Sequence, residues 1–209
     1  MTSCVGYDRF WWSQLAYEAA WEAQKNRVAD LLAGRVGQAL FILEHPSVYT
    51  LGRSGSLADI RERGRIPVVV SDRGGKVTYH GPGQMVAYVI WDLRLRRHAV
   101  RQHVEMLERC VMETLADFGV SGEREVGNPG VWVAGAKIAA LGVRIRQGVA
   151  YHGVAINRQP DMSHFQAIVP CGLPNREVTS LESLGVRVER AALEERFEAV
   201  FQGVFGTTT

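Results

Sequence analysis

Cys171 and Lys137 are the two residues whose types could together form a nucleophilic centre. Cys171 stands between Pro170 and Gly172 in a predicted turn, where a thiol is accessible and a nearby cation can ionise it. Lys137 is the candidate cation, because it interrupts an otherwise apolar stretch of small residues. On a half-buried strand its ammonium could equally face solvent, and the sequence leaves both orientations open. If Lys137 points into a pocket, the pair predicts catalysis by a thiolate.

The other cysteines do not suggest a second reactive centre. The chain has three cysteines, widely spaced and in no CxxC arrangement, which favours neither a disulfide framework nor a zinc site. Cys110 adjoins the apolar face of a predicted helix, and we expect it to be a small core residue. Cys4 lies in an N-terminal tail that we expect to be mobile, and no charged partner stands close to it in sequence.

A glycine-rich stretch, RGGKVTYHGPGQ at 73–84, is a candidate binding segment. Its four glycines indicate a main chain that turns sharply or approaches a bound group closely. The stretch lies between a predicted internal strand at 66–70 and another strand at 85–91. A dinucleotide fingerprint or a phosphate loop needs its glycines between a strand and a helix, so this stretch predicts neither kind of nucleotide site.

The elements around these residues predict one α/β domain spanning residues 1–209. A helix capped by Ser13 is expected to end at Gly34, a second to run from Val100 to Gly119, and a third over 190–204. A buried strand is predicted at 39–44, and two or three more over 131–158, with a hairpin at Gln147 and Gly148. Apolar residues make up 46% of the chain and charged residues 22%, as in an ordinary globular protein with a real core.

The near-equal numbers of basic and acidic residues exclude a strong electrostatic field around the whole protein. Lys plus Arg number 24 against 22 Asp plus Glu, so nothing predicts binding to nucleic acid or to a membrane surface. Two arginine clusters, at 61–65 and 94–97, are either solvated surface charges or a basic rim for an acidic carrier protein. The N-terminus lacks the features of a signal peptide, and no stretch predicts a membrane span, so we expect a cytoplasmic protein. Nothing resembles an oligomerisation heptad, and we expect a monomer.

Five sequence blocks closely resemble the lipoyl(octanoyl) transferase family. In order they are HPSVYTLGR, RGGKVTYHGPGQ, GAKIAALGVR, HGVAIN and PCG, and the similarity spans about residues 44–181. The resemblance implies the fold of the lipoate and biotin protein ligases, a mixed β-sheet with helices on one side and a substrate tunnel across it. It also implies transfer of an octanoyl group from acyl carrier protein to a lysine of lipoyl domains.

The resemblance assigns roles to residues of this chain. Cys171 would carry octanoate as a thioester, while Lys137 would lower the thiol pKa and take part in proton transfer to the incoming amine. The substrate site would be lined by Arg73, Gly74, Gly75, Lys76, Val77, Thr78, Tyr79, His80, Ala140, Leu141, Gly142, Gly153, Val154 and Ala155. A narrow apolar slot suits an eight-carbon chain, since burying six methylenes gives about 5 kcal/mol before the costs of binding. His80, Tyr79 and His152 would either orient the dyad and the pantetheine arm or serve as structural hydrogen-bonding groups.

The resemblance further implies a reaction without cofactors. Moving an acyl group between thiols changes the free energy little, and aminolysis of a thioester lowers it. We therefore expect neither ATP nor a metal to be needed. The implied acceptors are the lipoyl domains of the 2-oxo acid dehydrogenase complexes and the H protein of glycine cleavage. Two alternatives stay open. An ATP-dependent lipoate ligase would share the fold and the glycine-rich block but has no need of Cys171, and a non-enzymatic binder of carrier or lipoyl domains would have no reason to pair Lys137 with it.

Overall fold

The computed structural model describes residues 6–62, 64–96, 99–168 and 176–206, which form ten strands and four α-helices. The strands are β1 (Tyr7–Trp11), β2 (Gln38–Leu43), β3 (Val48–Leu51), β4 (Val68–Val70), β5 (Val77–His80), β6 (Gln84–Asp92), β7 (Glu123–Arg124), β8 (Gly130–Val133), β9 (Ala136–Arg146) and β10 (Val149–Asn157). The helices are α1 (Tyr17–Leu32), α2 (Val100–Ala116), α3 (Ser163–Gln166) and α4 (Arg190–Phe205). In this part of the chain, no helix is both long enough and apolar enough to cross a bilayer.

The main sheet has seven strands in the order β1-β2-β6-β10-β9-β8-β7. Only β1 and β2 pair in parallel among these neighbours, so the sheet is mixed, as predicted. Every residue of β2, β6 and β10 is buried, because both faces of these central strands are covered. A second sheet, β4-β3-β5, holds the glycine-rich segment against the first.

Helices cover both faces of the main sheet, which corrects the one-sided arrangement implied by the family resemblance. Alternate residues of each strand point to opposite faces. Phe41 and Tyr88 lie in the cluster that contains the buried residues of α1. Leu40 and Trp91 lie in the cluster formed with α2 and α4. The apolar stripe of the long N-terminal helix therefore covers a face that would otherwise expose the alternate residues of β2 and β6 to water.

The predicted helix ends are largely confirmed. Gly34 has φ +71° just beyond α1, and the amide of Arg35 donates to the carbonyl of Asp30, which closes the helix with a left-handed glycine. Gly119 likewise follows α2 with φ +76°. Ser13 does not cap α1, because the helix begins four residues later and its N-cap residue, Ala16, makes no side-chain hydrogen bond.

Two strand predictions need correction. The apolar run at 66–70 is not an internal strand: β4 pairs only with β3 at the edge of the small sheet, and Val70 is 70% exposed. The glycine-rich stretch is not a simple loop, because it contains β5, which pairs with β3. The predicted hairpin is present, with Gln147 and Gly148 both at positive φ between β9 and β10.

Candidate active site

A cavity of about 310 Å³ lies against β9 and β10 and is also lined by Tyr17 of α1 and Val104 of α2. All the predicted substrate-site residues except Tyr79 line it, namely Arg73, Gly74, Gly75, Lys76, Val77, Thr78, His80, Ala140, Leu141, Gly142, Gly153, Val154 and Ala155. Lys137 and His152 line it as well. The strand register brings two of the blocks together, since Ala155 pairs with Ala140 and Gly153 with Gly142.

Small residues are needed where the glycine-rich segment approaches the sheet. The amide of Gly74 donates to the carbonyl of Val143 on β9 at 3.1 Å. A Cβ on Gly142 would come within 2.9 Å of the carbonyl oxygen of Gly74, and one on Gly153 within 2.2 Å of that of Ala87. The Ala87 oxygen belongs to β6, which is paired on both sides, and the Gly74 oxygen accepts a hydrogen bond from Arg73. The glycines therefore keep the floor of the cavity flat and the segment close to it.

Arg73 ties the glycine-rich segment to β3. Its guanidinium donates from Nε to Thr50 Oγ1 at 3.1 Å and from Nη2 to the Thr50 carbonyl oxygen at 2.7 Å. A further bond runs from Nη1 to the carbonyl oxygen of Gly74 at 3.0 Å. Only 8% of Arg73 is exposed, so this cation contributes to the field inside the site and also holds its wall in place.

Tyr79 differs from the rest of its block. Side chains alternate along β5, so Tyr79 points away from Thr78 and His80 and into a separate apolar cluster with Phe165. Its hydroxyl hydrogen-bonds with that of Ser47 at 3.0 Å. Among residues 73–80, Tyr79 alone does not line the cavity.

His80 and His45 form a buried aromatic group with Tyr17 beside the cavity. His80 Nδ1 donates to Gln84 Oε1 at 2.6 Å, and burial, helped by His45 and Arg73, lowers its pKa well below 6.5. His45 Nδ1 donates to the Leu15 carbonyl at 2.6 Å, which leaves Nε2 to accept from the Tyr88 hydroxyl at 2.7 Å. Burial lowers the pKa of His45 to about 4. Both rings are therefore neutral at pH 7.

His152 has an unusual backbone for a buried strand residue. Its φ is +60°, and 1% of the residue is exposed. The ring Nε2 donates to Asp72 Oδ1 at 2.9 Å, and the Tyr151 hydroxyl donates to Asp72 as well. Although burial favours protonation of Asp72, these bonds outweigh it and lower the pKa of the carboxyl to about 2. Burial lowers the pKa of His152, whose Nδ1 has no hydrogen-bond partner among the described residues.

Lys137 points into the protein, so the solvent-facing alternative is wrong. It is 6% exposed, and its Nζ donates to the Pro129 carbonyl at 3.0 Å and lies 4.5 Å from the centre of the Trp132 ring. Its own backbone pairs with the segment after residue 175: the Lys137 amide donates to Glu177 and its carbonyl accepts from Thr179. The ammonium therefore lies at the cavity wall among a carbonyl and an aromatic face, both of which favour the cation.

Some residues named in the sequence predictions lie outside the described part of the chain. Cys171 lies in the stretch 169–175, and Cys4, Arg63 and Arg97 are likewise outside the described ranges. Cys110, by contrast, is fully buried in the core as predicted, and burial raises its thiol pKa. Of the described arginines in the two clusters, Arg61 and Arg65 are exposed and Arg94 pairs with Asp92 at 2.7 Å.

Several cavity residues were not found from the sequence. Tyr17 and Tyr88 line the cavity from α1 and β6, and Asn128 and Pro129 line it from the turn before β8. The turn residues carried a signal, because an Asn-Pro-Gly sequence marks a fixed turn, here ahead of β8, the strand that pairs with the Lys137 strand β9. Tyr17 and Tyr88 carried none, since aromatic residues on a helix and a strand usually belong to the core. Among the described residues, no three His, Cys, Asp or Glu side chains are grouped closely enough to hold a metal ion.

Comparison with known proteins decides the family. A family model, the lipoyl protein ligase A/B catalytic domain, matches residues 16–202. An octanoyltransferase of Magnetococcus marinus is 53% identical over 190 residues, which cover 91% of this chain and 89% of that protein. The chain belongs to the octanoyltransferase family. Another octanoyltransferase, of a Bradyrhizobium species, is 46% identical over 206 residues, covering 94% of this chain and 85% of that protein. The predicted family and its enzyme class, the acyltransferases, are confirmed.

Solved structures confirm the predicted fold of this octanoyltransferase family member. A lipoate protein ligase from Thermoplasma acidophilum superposes with a TM-score of 0.71 at 14% identity, covering 95% of this chain and 83% of that one. A biotin protein ligase from Aquifex aeolicus gives a TM-score of 0.54 at 11% identity, covering 95% and 68%. At such low identity the likeness concerns the fold alone.

Proposed function

We propose that the chain transfers an octanoyl group from octanoyl-acyl carrier protein to a specific lysine of lipoyl domains, through a thioester on Cys171. This is the first step of endogenous protein lipoylation. The observation that carries the proposal is the buried ammonium of Lys137 at the wall of an apolar cavity, in a chain of the octanoyltransferase family. Neither a simple binder nor a structural protein needs a buried cation beside an apolar slot.

The cavity suits a straight acyl chain. Its floor consists of small residues, with Ala140 and Ala155 paired across β9 and β10 and Gly142 beside Gly153. Val86 and Val154 add aliphatic walls. An octanoyl chain lying over this floor would bury its methylenes at about 0.8 kcal/mol each. We infer that the slot selects the acyl chain by its length, because hydrophobic contact is lost once the chain is too short to fill it.

The first half-reaction is a thiol exchange. The Cys171 thiolate attacks the carbonyl carbon of octanoyl-acyl carrier protein, and the bond from that carbon to the carrier's pantetheine sulfur breaks. The departing thiolate takes up the proton that Cys171 gave up. The Cys171 proton would reside on Lys137 as its ammonium, whose charge stabilises the thiolate, and Lys137 would pass it to the departing pantetheine sulfur. The role of Cys171 in this scheme is inferred from the PCG block of the sequence.

The second half-reaction is aminolysis. The amine of the lipoyl-domain lysine attacks the thioester carbon, an amide bond forms, and the carbon–sulfur bond to Cys171 breaks. The proton lost by the amine returns through Lys137 to the cysteine. Because each substrate meets the same cysteine in turn, ping-pong kinetics are expected. No activated acid is required, so the scheme has no step for ATP.

The wider setting is also a proposal. We place the reaction in the cytoplasm and assign it to one catalytic domain acting as a monomer. The acceptors are the lipoyl domains of the 2-oxo acid dehydrogenase complexes and the H protein of glycine cleavage. The exposed arginines Arg61 and Arg65 are candidates for contact with the acidic surface of a carrier protein.

Transfer to a purified lipoyl domain tests the function. With octanoyl-acyl carrier protein as the donor and no ATP, we expect the target lysine to gain an octanoyl group, which mass spectrometry of the domain detects. A ligase would modify the domain only when free octanoate and ATP are both supplied. That second pattern would replace the proposed transferase by the ligase alternative.

A further inference from the structure

One peptide group lies between a buried carboxylate and the buried lysine of the site. The carbonyl of the Pro129–Gly130 peptide accepts a hydrogen bond from Lys137 Nζ at 3.0 Å. The N–H of the same peptide donates to Glu108 Oε1 at 3.0 Å. The two bonds use opposite ends of one amide dipole, so the negative carboxylate and the positive ammonium orient it in the same sense.

The backbone at this point accommodates Lys137 but does not fix the peptide. Gly130 has φ +138°, and a Cβ there would lie 2.7 Å from the Ala139 carbonyl oxygen and 3.2 Å from Lys137 Nζ. Only glycine can therefore stand beside the lysine. Glycine also tolerates the other orientation of the preceding peptide, in which the carbonyl would turn away from the ammonium. A further contact must select the observed orientation.

Glu108 provides that contact from a rigid element. It is 5% exposed on α2, in the turn of the helix where Leu107, Cys110 and Val111 are fully buried in the core. Its second oxygen, Oε2, lies 3.1 Å from Nε of Arg124. A carboxylate at this depth is costly unless it is paired and hydrogen-bonded, and here it has both kinds of partner.

We propose that Glu108 is a positioning residue for Lys137, acting through the Pro129–Gly130 peptide. The carboxylate holds the N–H, the N–H fixes the direction of the carbonyl, and the carbonyl holds the ammonium at the cavity wall. The inference rests on the proposed catalytic role of Lys137. Glu108 is not among the described residues that line the cavity, so we expect its loss to change the chemical step and to leave substrate binding intact.

A double-mutant cycle tests the proposal. The single-turnover rate of octanoyl transfer from the carrier protein to the enzyme is measured for the native chain, Glu108→Leu, Glu108→Gln, Lys137→Met and the two double variants. We expect Glu108→Leu to lower the rate about 10- to 100-fold, as small misplacements of a catalytic group do. KM for octanoyl-acyl carrier protein should stay within about twofold. In the Lys137→Met background neither Glu108 substitution should lower the rate further.

The conservative variant and a control separate positioning from folding. Glu108→Gln keeps the size of the side chain and an oxygen that can accept from Gly130, so it should recover most of the rate lost in Glu108→Leu. Should Glu108→Leu fail to fold, the Gln variant alone completes the cycle with a smaller loss. Glu105→Gln is the matched control, because Glu105 lies on the same helix in an exposed pair with Arg101 and should transfer at the native rate.

Two results would overturn the inference in different ways. If the Glu108 substitutions lower the rate by the same factor with and without Lys137, the carboxylate acts on the fold and not through the lysine. If Lys137→Met itself acylates at the native rate, the proposed role of Lys137 fails and the positioning role fails with it. In the first case the proposed function of the site stands unaltered.

Discussion

Ala140 and Ala155 show how single methyl groups set the shape of the site. They pair across β9 and β10, and both line the cavity that we assign to the acyl chain. A leucine at 140 would place three more carbons in about 310 Å³ of space. The slot should become shorter without any change at Lys137.

We therefore predict that Ala140→Leu lowers kcat/KM for octanoyl-acyl carrier protein by about 10-fold or more and lowers it less for the hexanoyl form. Assays with carrier proteins bearing six- and eight-carbon chains measure the ratio. Ala29→Leu, at an exposed position of α1, is the control and should leave both values unchanged. Equal losses for the two chain lengths in Ala140→Leu would mean that residue 140 does not border the acyl chain.

At the scale of elements, the position of the glycine-rich segment depends on β3. Thr50 is fully buried on that strand and accepts from Arg73 through both its hydroxyl and its carbonyl oxygen. The guanidinium in turn donates to Gly74, so one clamp joins β3 to the wall of the cavity. Removing the hydroxyl would leave a buried charged group short of an acceptor.

Thr50→Val should lower the free energy of unfolding by about 1–3 kcal/mol, because valine has the shape of threonine but cannot accept the hydrogen bond. Urea unfolding of the native chain and the variant measures the loss. Thr114→Val is the matched control, since the buried Thr114 hydroxyl donates only within α2, to the carbonyl of Cys110. A loss no larger than that of Thr114→Val would show that the clamp does not stabilise the segment.

The elements that could be predicted from sequence are those with a local signal. α2 and α4 follow an apolar periodicity, and the β9–β10 hairpin follows its Gln-Gly turn. β1 and β3 were missed, because each is short and is held by partners distant in sequence. The edge position of β4 was also missed, because an apolar run indicates that a strand forms but not how many neighbouring strands it has.

The site, like the fold, could be predicted only where the sequence carries a local signal. Glycine and alanine blocks suggested a close, narrow slot, while the direction of Lys137 stayed open because strand pairing decides which face a side chain meets. Glu108 and Tyr88 could not be found from the sequence, because they lie on α2 and β6. These elements come close to the site only in the folded chain. Tyr79 was included with its block only because sequence similarity does not separate the two faces of β5.

At the scale of the whole molecule, three buried neutral histidines make stability depend on pH. Burial lowers the pKa of His45 to about 4, and lowers those of His80 and His152 as well. In the unfolded chain these rings take up protons near pH 6.5. Below that pH the unfolded state binds more protons than the folded state, so the stability is fully present above about pH 6.5 and is lost as the pH falls toward 4.

We expect each such histidine to lower the free energy of unfolding by up to about 1.4 kcal/mol per pH unit in that window. Asp72, whose pKa is lowered to about 2, acts only at still lower pH, because it loses its contribution between about 4 and 2. Urea unfolding at intervals from pH 7.5 to 5 measures the slope. His45→Gln should reduce it, and an equal slope in the variant would show that His45 is not held neutral by the fold.

The measurement that most directly tests the central claim is the intact mass of the chain after mixing with octanoyl-acyl carrier protein in the absence of ATP. We predict that the native chain gains one octanoyl group, that Cys171→Ala gains none, and that Lys137→Met gains it far more slowly. A native chain that stays unmodified, or a Cys171→Ala variant that carries the adduct, would contradict a thioester on Cys171 as the intermediate of this enzyme.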